Sequence, residues 1–271
     1  MMINPSARPF AVERDNLSLA WGDVFLRLLS SGVKEIAPLS ISITGFSNDG
    51  APTENDEIRK RLDSLLEQKG VTIDTETVAF TIFPQEYWEL ANKSRGEFFS
   101  LYRESFTRIQ DWSPKHNKRG SYFQRLVDYQ GNDEGHNQLE WILEEYARSP
   151  TQRVSQFQAT TFNPLLDHSR TAQLEFPCLQ YVSFVPMQDG TLAMNAFYAT
   201  QQIFRKGYGN YLGLCRLGAF MAAEMGLKLG RVFINVGVAK MDVRKTDPEI
   251  EQFAEFVKQA LSAADEGKKA A

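Results

Sequence analysis

The sequence predicts one domain in which helices are interspersed with strands, without the regular β-α-β alternation of a doubly wound sheet. Three observations carry this. Several stretches repeat apolar residues at spacings of three and four, as amphipathic helices do. Others alternate polar and apolar side chains and are rich in β-branched and aromatic residues, as half-buried strands are. No GxGxxG follows a strand, and no GxxxxGK[ST] segment occurs. With 271 residues, 42% hydrophobic and 12% aromatic, the chain can build one substantial core or at most two small ones.

In chain order, Leu17 to Leu29 reads as a helix, with Leu19, Val24, Phe25, Leu28 and Leu29 as its apolar set and Ser31-Gly32 as punctuation. Leu39 to Phe46 (LSISITGF) alternates and predicts a strand. A polar loop from Asn48 leads into a helix over Glu57 to Lys69, with Leu62, Leu65 and Leu66 on one side and Gly70 as its stop. Glu76 to Phe83 (ETVAFTIF) predicts a strand running into Pro84. Tyr87 to Ile109 reads as one long helix or two short ones. Trp112 to Gly120, with Lys115, Lys118 and Arg119, is a loop, either solvated or an anion contact.

Further on, Asn137 to Ala147 predicts a short helix with Leu139, Ile142 and Leu143 inward, and Val154 to Thr161 a strand. Leu174 to Pro186 and Thr191 to Phe204 are two strands separated by the turn Gln188-Asp189-Gly190. Asn210 to Gly226 is a Leu/Ala/Met-rich helix, with Asn210 as N-cap and Gly226 at its end. Gly230 to Val238 (GRVFINVGV) is a further strand. A terminal helix over Asp247 to Ala264 opens on Asp247-Pro248 and is followed by a frayed tail, DEGKKAA.

Composition narrows the function classes. Aromatic content and a net charge of -4 exclude a disordered chain, and two cysteines, Cys178 and Cys215, exclude a disulfide-built miniprotein. No apolar run approaches the ~18–20 residues that cross a bilayer, and the N-terminal stretch lacks a secretory apolar block, so a cytoplasmic setting is expected. The balance of 30 basic and 34 acidic residues argues against a general nucleic-acid or membrane coat. His116, His136 and His168 are scattered, which predicts no zinc site, and no GxSxG elbow supports a serine triad. Cys215, inside a helix near Leu212 and Ala219, is expected in the core.

The most informative stretch is Phe176 to Asp242. It holds Pro177-Cys178, a strand, the turn Asp189-Gly190-Thr191-Leu192, a second strand, Asn210 near the start of a long helix, and a strand containing Val236-Gly237. This order resembles the folate-dependent thymidylate synthase family. Upstream, Gly120-Ser121-Tyr122-Phe123 with Arg125-Leu126 resembles the family's Gly-x-x-Tyr segment, and Ser149 to Arg153 resembles its paired-arginine turn. About 40% of the chain matches well and another third loosely; residues 48–118 match poorly. The resemblance implies an α+β fold over residues 1–271, counting the terminal helix and tail at 247–271. Its mixed sheet would carry helices on one face and bury the other in a homodimer.

It also implies chemistry. Cys178 would be the nucleophile that adds to C6 of a pyrimidine ring, activating C5 toward a one-carbon unit from 5,10-methylenetetrahydrofolate. The product would be a methyl or hydroxymethyl pyrimidine nucleoside or nucleotide. Asn210 falls where the family reads the O4/N3 edge of uracil, and an amide offers donor and acceptor together. Arg153 would contact phosphate across the dimer, or be a plain surface arginine.

Other positions depart from the pattern. Ala199 and Gln152 replace arginines, and no arginine precedes LSISITGF. Gln202 replaces the folate-contacting aspartate. Lys240 and Asp242 replace the sugar-binding His and Tyr, as a rebuilt substrate contact or a solvated pair. Arg205 and Lys206 are the nearest replacement cations. These departures predict a substrate other than plain dUMP, and they leave open a second reading: a binding or scaffold protein that keeps the fold without the chemistry.

Overall fold

The computed structural model describes residues 8–30, 32–112, 120–129, 136–149, 153–168 and 177–270. The basic loop at Lys115 to Arg119 and the segments 150–152 and 174–176 lie outside the described residues. The fold is α+β, as the resemblance implied. Its mixed sheet comprises β1 (Arg8–Arg14), β2 (Glu35–Ile43), β3 (Gln158–Thr160), β4 (Leu179–Pro186), β5 (Thr191–Gln202) and β6 (Lys228–Lys240). The spatial order is β1-β2-β6-β5-β4-β3. The β1–β2 and β5–β6 pairs are parallel; β2–β6, β4–β5 and β3–β4 are antiparallel.

Burial alternates along the central strands. Leu192, Met194, Ala196 and Tyr198 of β5, and Val232, Ile234 and Val236 of β6, are buried beneath helices. The opposite face is half-exposed. It carries Tyr181, Phe197 and Phe233, with Ser40 donating to Asn235 at 2.9 Å and Asn195 to Ser183 at 3.2 Å.

The helices are α1 (Leu17–Leu29), α2 (Asp56–Gln68), α3 (Thr75–Phe80), α4 (Gln85–Leu90), α5 (Arg95–Glu104), α6 (Phe106–Trp112), α7 (Tyr122–Val127), α8 (Gln138–Arg148), α9 (Pro164–Asp167), α10 (Tyr208–Glu224) and α11 (Pro248–Ala270). Asn16 and Asn55 cap α1 and α2 through side-chain oxygens. Trp21 and Phe25 of α1 stack at 4.8 Å and meet Phe204 and Phe253. A second aromatic cluster, Phe83, Trp88, Phe98, Phe123 and Phe220, shows a structural role for the helices of residues 75–104: they pack against α10. The contact is close, because a Cβ at Gly213 would lie 2.7 Å from the Ala79 carbonyl oxygen.

Several expectations change. Glu76 to Phe83 is not a strand. Thr75–Phe80 is helical because Asp74 accepts the Thr77 N–H at 2.7 Å and Asp63 accepts both the N–H and hydroxyl of Thr75. Local hydrogen bonds outweigh the β-branched and aromatic bias of that run. Strand β1 went unforeseen, since its charged and proline residues suit a half-solvated edge. Of Val154 to Thr161, only Gln158–Thr160 is strand, after a 3-10 turn at Val154–Gln156. The tail is not frayed over its described part: α11 continues through it, with Asp265 on Arg14 and Lys268 2.7 Å from Asp15.

Two ionic clamps hold the helical layer. Arg125 grips the buried Asp167 through two hydrogen bonds of 2.7 and 3.0 Å. Glu76 takes Arg59 at 2.5 Å and both Nη groups of Arg216, joining α2, α3 and α10. Burial pushes the Glu76 carboxyl up, but Arg216 and then Arg59 outweigh it, so its pKa lies below the usual 4.5. A depressed carboxylate pKa contributes stability above its unfolded value and loses it as pH falls through the folded one. Glu76→Gln is therefore expected to cost about 1 kcal/mol at neutral pH, allowing for solvent screening. Its melting temperature should converge on that of the wild type as pH drops below 4.5, as read by thermal melts across pH 3 to 7.

Candidate functional site

The antiparallel register of β4 and β5 places Cys178. Leu179 faces Tyr198, and the Ala199 N–H donates to the Cys178 carbonyl oxygen at 2.8 Å. The thiol is half-buried, with Sγ 3.6 Å from the Thr200 hydroxyl. Cys215, in contrast, is fully buried in α10, as expected, and burial pushes its thiol pKa far up.

Tyrosines surround Cys178. Tyr122, at the start of α7, is raised above the usual phenol pKa by burial and then by the Cys178 thiol; the N–H groups of Leu179 and Cys178 partly oppose this. Tyr198 is raised by burial, then by Tyr122, Cys178 and Tyr211. Both phenols are therefore neutral over the physiological range. Tyr211 of α10 donates its hydroxyl to Gln201 Oε1 at 3.1 Å. The Tyr198 hydroxyl and Gln201 Nε2 are enclosed and have no hydrogen-bond partner among the described residues.

The other expected residues gather where β5 passes into α10. Ile203–Gly207 forms a π-helical turn that runs straight into α10. Asp242, just past β6, accepts the N–H groups of Phe204 at 2.9 Å and Arg205 at 3.1 Å. Burial raises its carboxyl pKa, and those N–H groups oppose the rise. Burial lowers the Lys206 ammonium pKa, against the pull of Asp242. Gln202 is exposed at the end of β5 and faces Lys240 across the sheet; Lys240 Nζ lies 3.5 Å from Glu35 Oε1.

Asn210 is not the N-cap. It is the third residue of α10 and only 5% exposed, because the π turn supplies the preceding backbone and no cap is needed. Its amide has no hydrogen-bond partner among the described residues. Arg153 is exposed at the start of the 3-10 turn before β3. Thr200, Gln201, Tyr198 and Tyr211 went unpredicted as site residues. Their types suit core packing; the β4–β5 register brings Tyr198 and Thr200 beside the thiol, and Tyr211 joins through its hydrogen bond to Gln201.

A cavity of about 360 Å³ lies elsewhere, between α3, α4 and α6, and Cys178 does not line it. Among the described residues no group of His, Cys, Asp and Glu is arranged to hold a metal, and no helix is long and apolar enough to cross a membrane.

No protein-family model matches the chain. Over 129 residues it is 30% identical to a protein of Methanocaldococcus jannaschii described as "Putative thymidylate synthase". The matched stretch covers 47% of this chain and 57% of that protein, so the chain spans little more than half the relative's length.

The geometry of the π turn yields one prediction. Asp242→Ala strips the acceptor from two backbone N–H groups, and is expected to cost about 1–3 kcal/mol in urea unfolding.

Proposed function

We propose that the chain is a divergent thymidylate synthase-like transferase. It would act at C5 of a uracil-type nucleoside or nucleotide, through a Cys178 adduct at C6. The observation that carries this reading is the half-open thiol of Cys178, set among neutral phenols and the Thr200 hydroxyl. In the proposed step the thiolate forms the S–C6 bond, and the C5–C6 π pair moves through C4 onto O4. Thr200 is near enough to donate to the thiolate. Tyr122, half-buried, holds its proton and can donate to oxygen as charge develops there, while the enclosed Tyr198 phenol stays neutral behind the thiol. Asn210, whose amide has no side-chain partner among the described residues, would be the reader of the O4/N3 edge.

The remaining parts of a nucleotide site support the reading less well. Asp242 is engaged by backbone N–H groups and Lys240 by Glu35, which leaves sugar and phosphate recognition to residues such as Lys206 or Arg153. The resemblance implies 5,10-methylenetetrahydrofolate as donor. Gln202 offers an exposed amide where that family has a carboxylate, so the residues present do not match a pteridine site, and no step is derived through it. These same engagements favour the second reading, a catalytically silent binding or scaffold protein.

A homodimer through the half-exposed sheet face belongs to the same proposal. Tyr181 and Phe197 stack there at 5.8 Å, and Phe233 neighbours Asn195 in register.

Two experiments test these readings. Incubation with 5-fluoro-2′-deoxyuridine monophosphate, or with 5-fluorouridine, is expected to add one ligand mass to the intact protein, and Cys178→Ala to abolish it. A wild-type protein that remains unmodified by every fluoropyrimidine would leave the scaffold reading standing. Phe197→Asp is expected to shift the mass measured by light scattering from two chains to one; an unchanged mass would remove the sheet face as the dimer surface.

A further inference from the structure

The 360 Å³ cavity is within the ~300–1,000 Å³ range of small-molecule sites. Its lining has a definite chemistry. Phe80 and Tyr87, half-exposed and edge to face at 5.8 Å, form an aromatic wall. Tyr87 is braced from behind by Tyr102 at 5.7 Å, so the wall is rigid. Arg108 is exposed at the rim and makes no ion pair among the described residues. Gln85 donates its amide to Glu89 at 3.0 Å, which leaves its Oε1 toward other donors. Thr77 and the exposed carboxylate of Glu86 add further acceptors. Glu76 also lines the cavity, but its charge is taken up by Arg59 and Arg216.

We infer that this cavity is a second ligand site, distinct from the Cys178 centre, for a flat aromatic ring that bears amino or ring N–H donors and an anionic group. The aromatic wall would take the ring face. Gln85 Oε1, Thr77 and Glu86 would accept from the N–H edge. Arg108 would hold the anion, a phosphate or a carboxylate, through charge-assisted hydrogen bonds. The acceptors on one side and a lone guanidinium on the other disfavour a purely apolar ligand and a plain inorganic anion alike.

Isothermal titration calorimetry with the full chain tests this. Adenosine monophosphate serves as the phosphate-bearing probe and 4-aminobenzoate as the carboxylate-bearing one; adenosine and inorganic phosphate serve as half-probes. At least one of the two complete probes is expected to bind more tightly than either half-probe. Arg108→Gln should weaken that complete probe about tenfold and leave adenosine unchanged. Tyr87→Leu should weaken both, with circular dichroism and melting temperature confirming the fold. Cys178→Ala should bind as the wild type does, so the outcome is independent of whether Cys178 proves catalytic. Absence of binding by either complete probe at millimolar concentration, or affinity indifferent to Arg108→Gln, would overturn the inference.

Discussion

Much of the molecule depends on how β5 becomes α10 without a loop. Asp242 makes this possible by accepting two backbone N–H groups of the π turn from a position just past the neighbouring strand, β6. A strand, a wide turn and a seventeen-residue helix are thereby fixed as one continuous piece. Tyr198, Thr200 and Gln201 ride on its strand end, and Asn210 and Tyr211 on its helix end. The Tyr211–Gln201 hydrogen bond ties the two ends together from inside. The far side of the helix is held by Gly209 and Gly213, whose missing side chains let α3 approach its backbone.

The two cysteines show how one residue type acquires different chemistry from its surroundings. Cys215 is wrapped in apolar helix and its ionisation is suppressed chiefly by burial, with the Glu54 carboxylate adding to the effect and Arg216 opposing it. Cys178 sits at the beginning of a strand, where a hydroxyl and two phenols replace hydrocarbon on part of its surface. The enclosed, unpaired atoms of Tyr198 and Gln201, like Ser42 Oγ in β2, are costly in a core made only for stability, and two of the three such atoms among the described residues fall in this corner.

Much of this was legible in the residues, and the remainder was hidden for physical reasons. Helices with a clean apolar stripe and an asparagine cap, such as α2, announce themselves, and so do the alternating strands β5 and β6. The α3 segment does not, because the cap at Asp74 and the Asp63 contacts with Thr75 act across turns that a periodicity scan reads as strand. Asn210 looks like a helix start because sequence alone does not disclose a π turn ahead of it. Cys178 and Asn210 could be singled out by motif, whereas Tyr198 and Gln201 carry no motif. The proximity of Tyr198 to the thiol, and of Gln201 to Tyr211, is a product of strand register and helix packing, which are set by pairing partners rather than by local sequence.

The sheet order has a bearing on biosynthesis. Strand β6 lies between β2 and β5, yet its residues are translated nearly two hundred positions after β2. While a ribosome is still adding them, the β1–β2 pair and the β3–β4–β5 meander have no shared neighbour, and each presents an open edge to solvent or to a chaperone. The nascent chain therefore carries two half-sheets that await one late insertion. The interval before that insertion is when this protein is most exposed to pairing with the wrong strand.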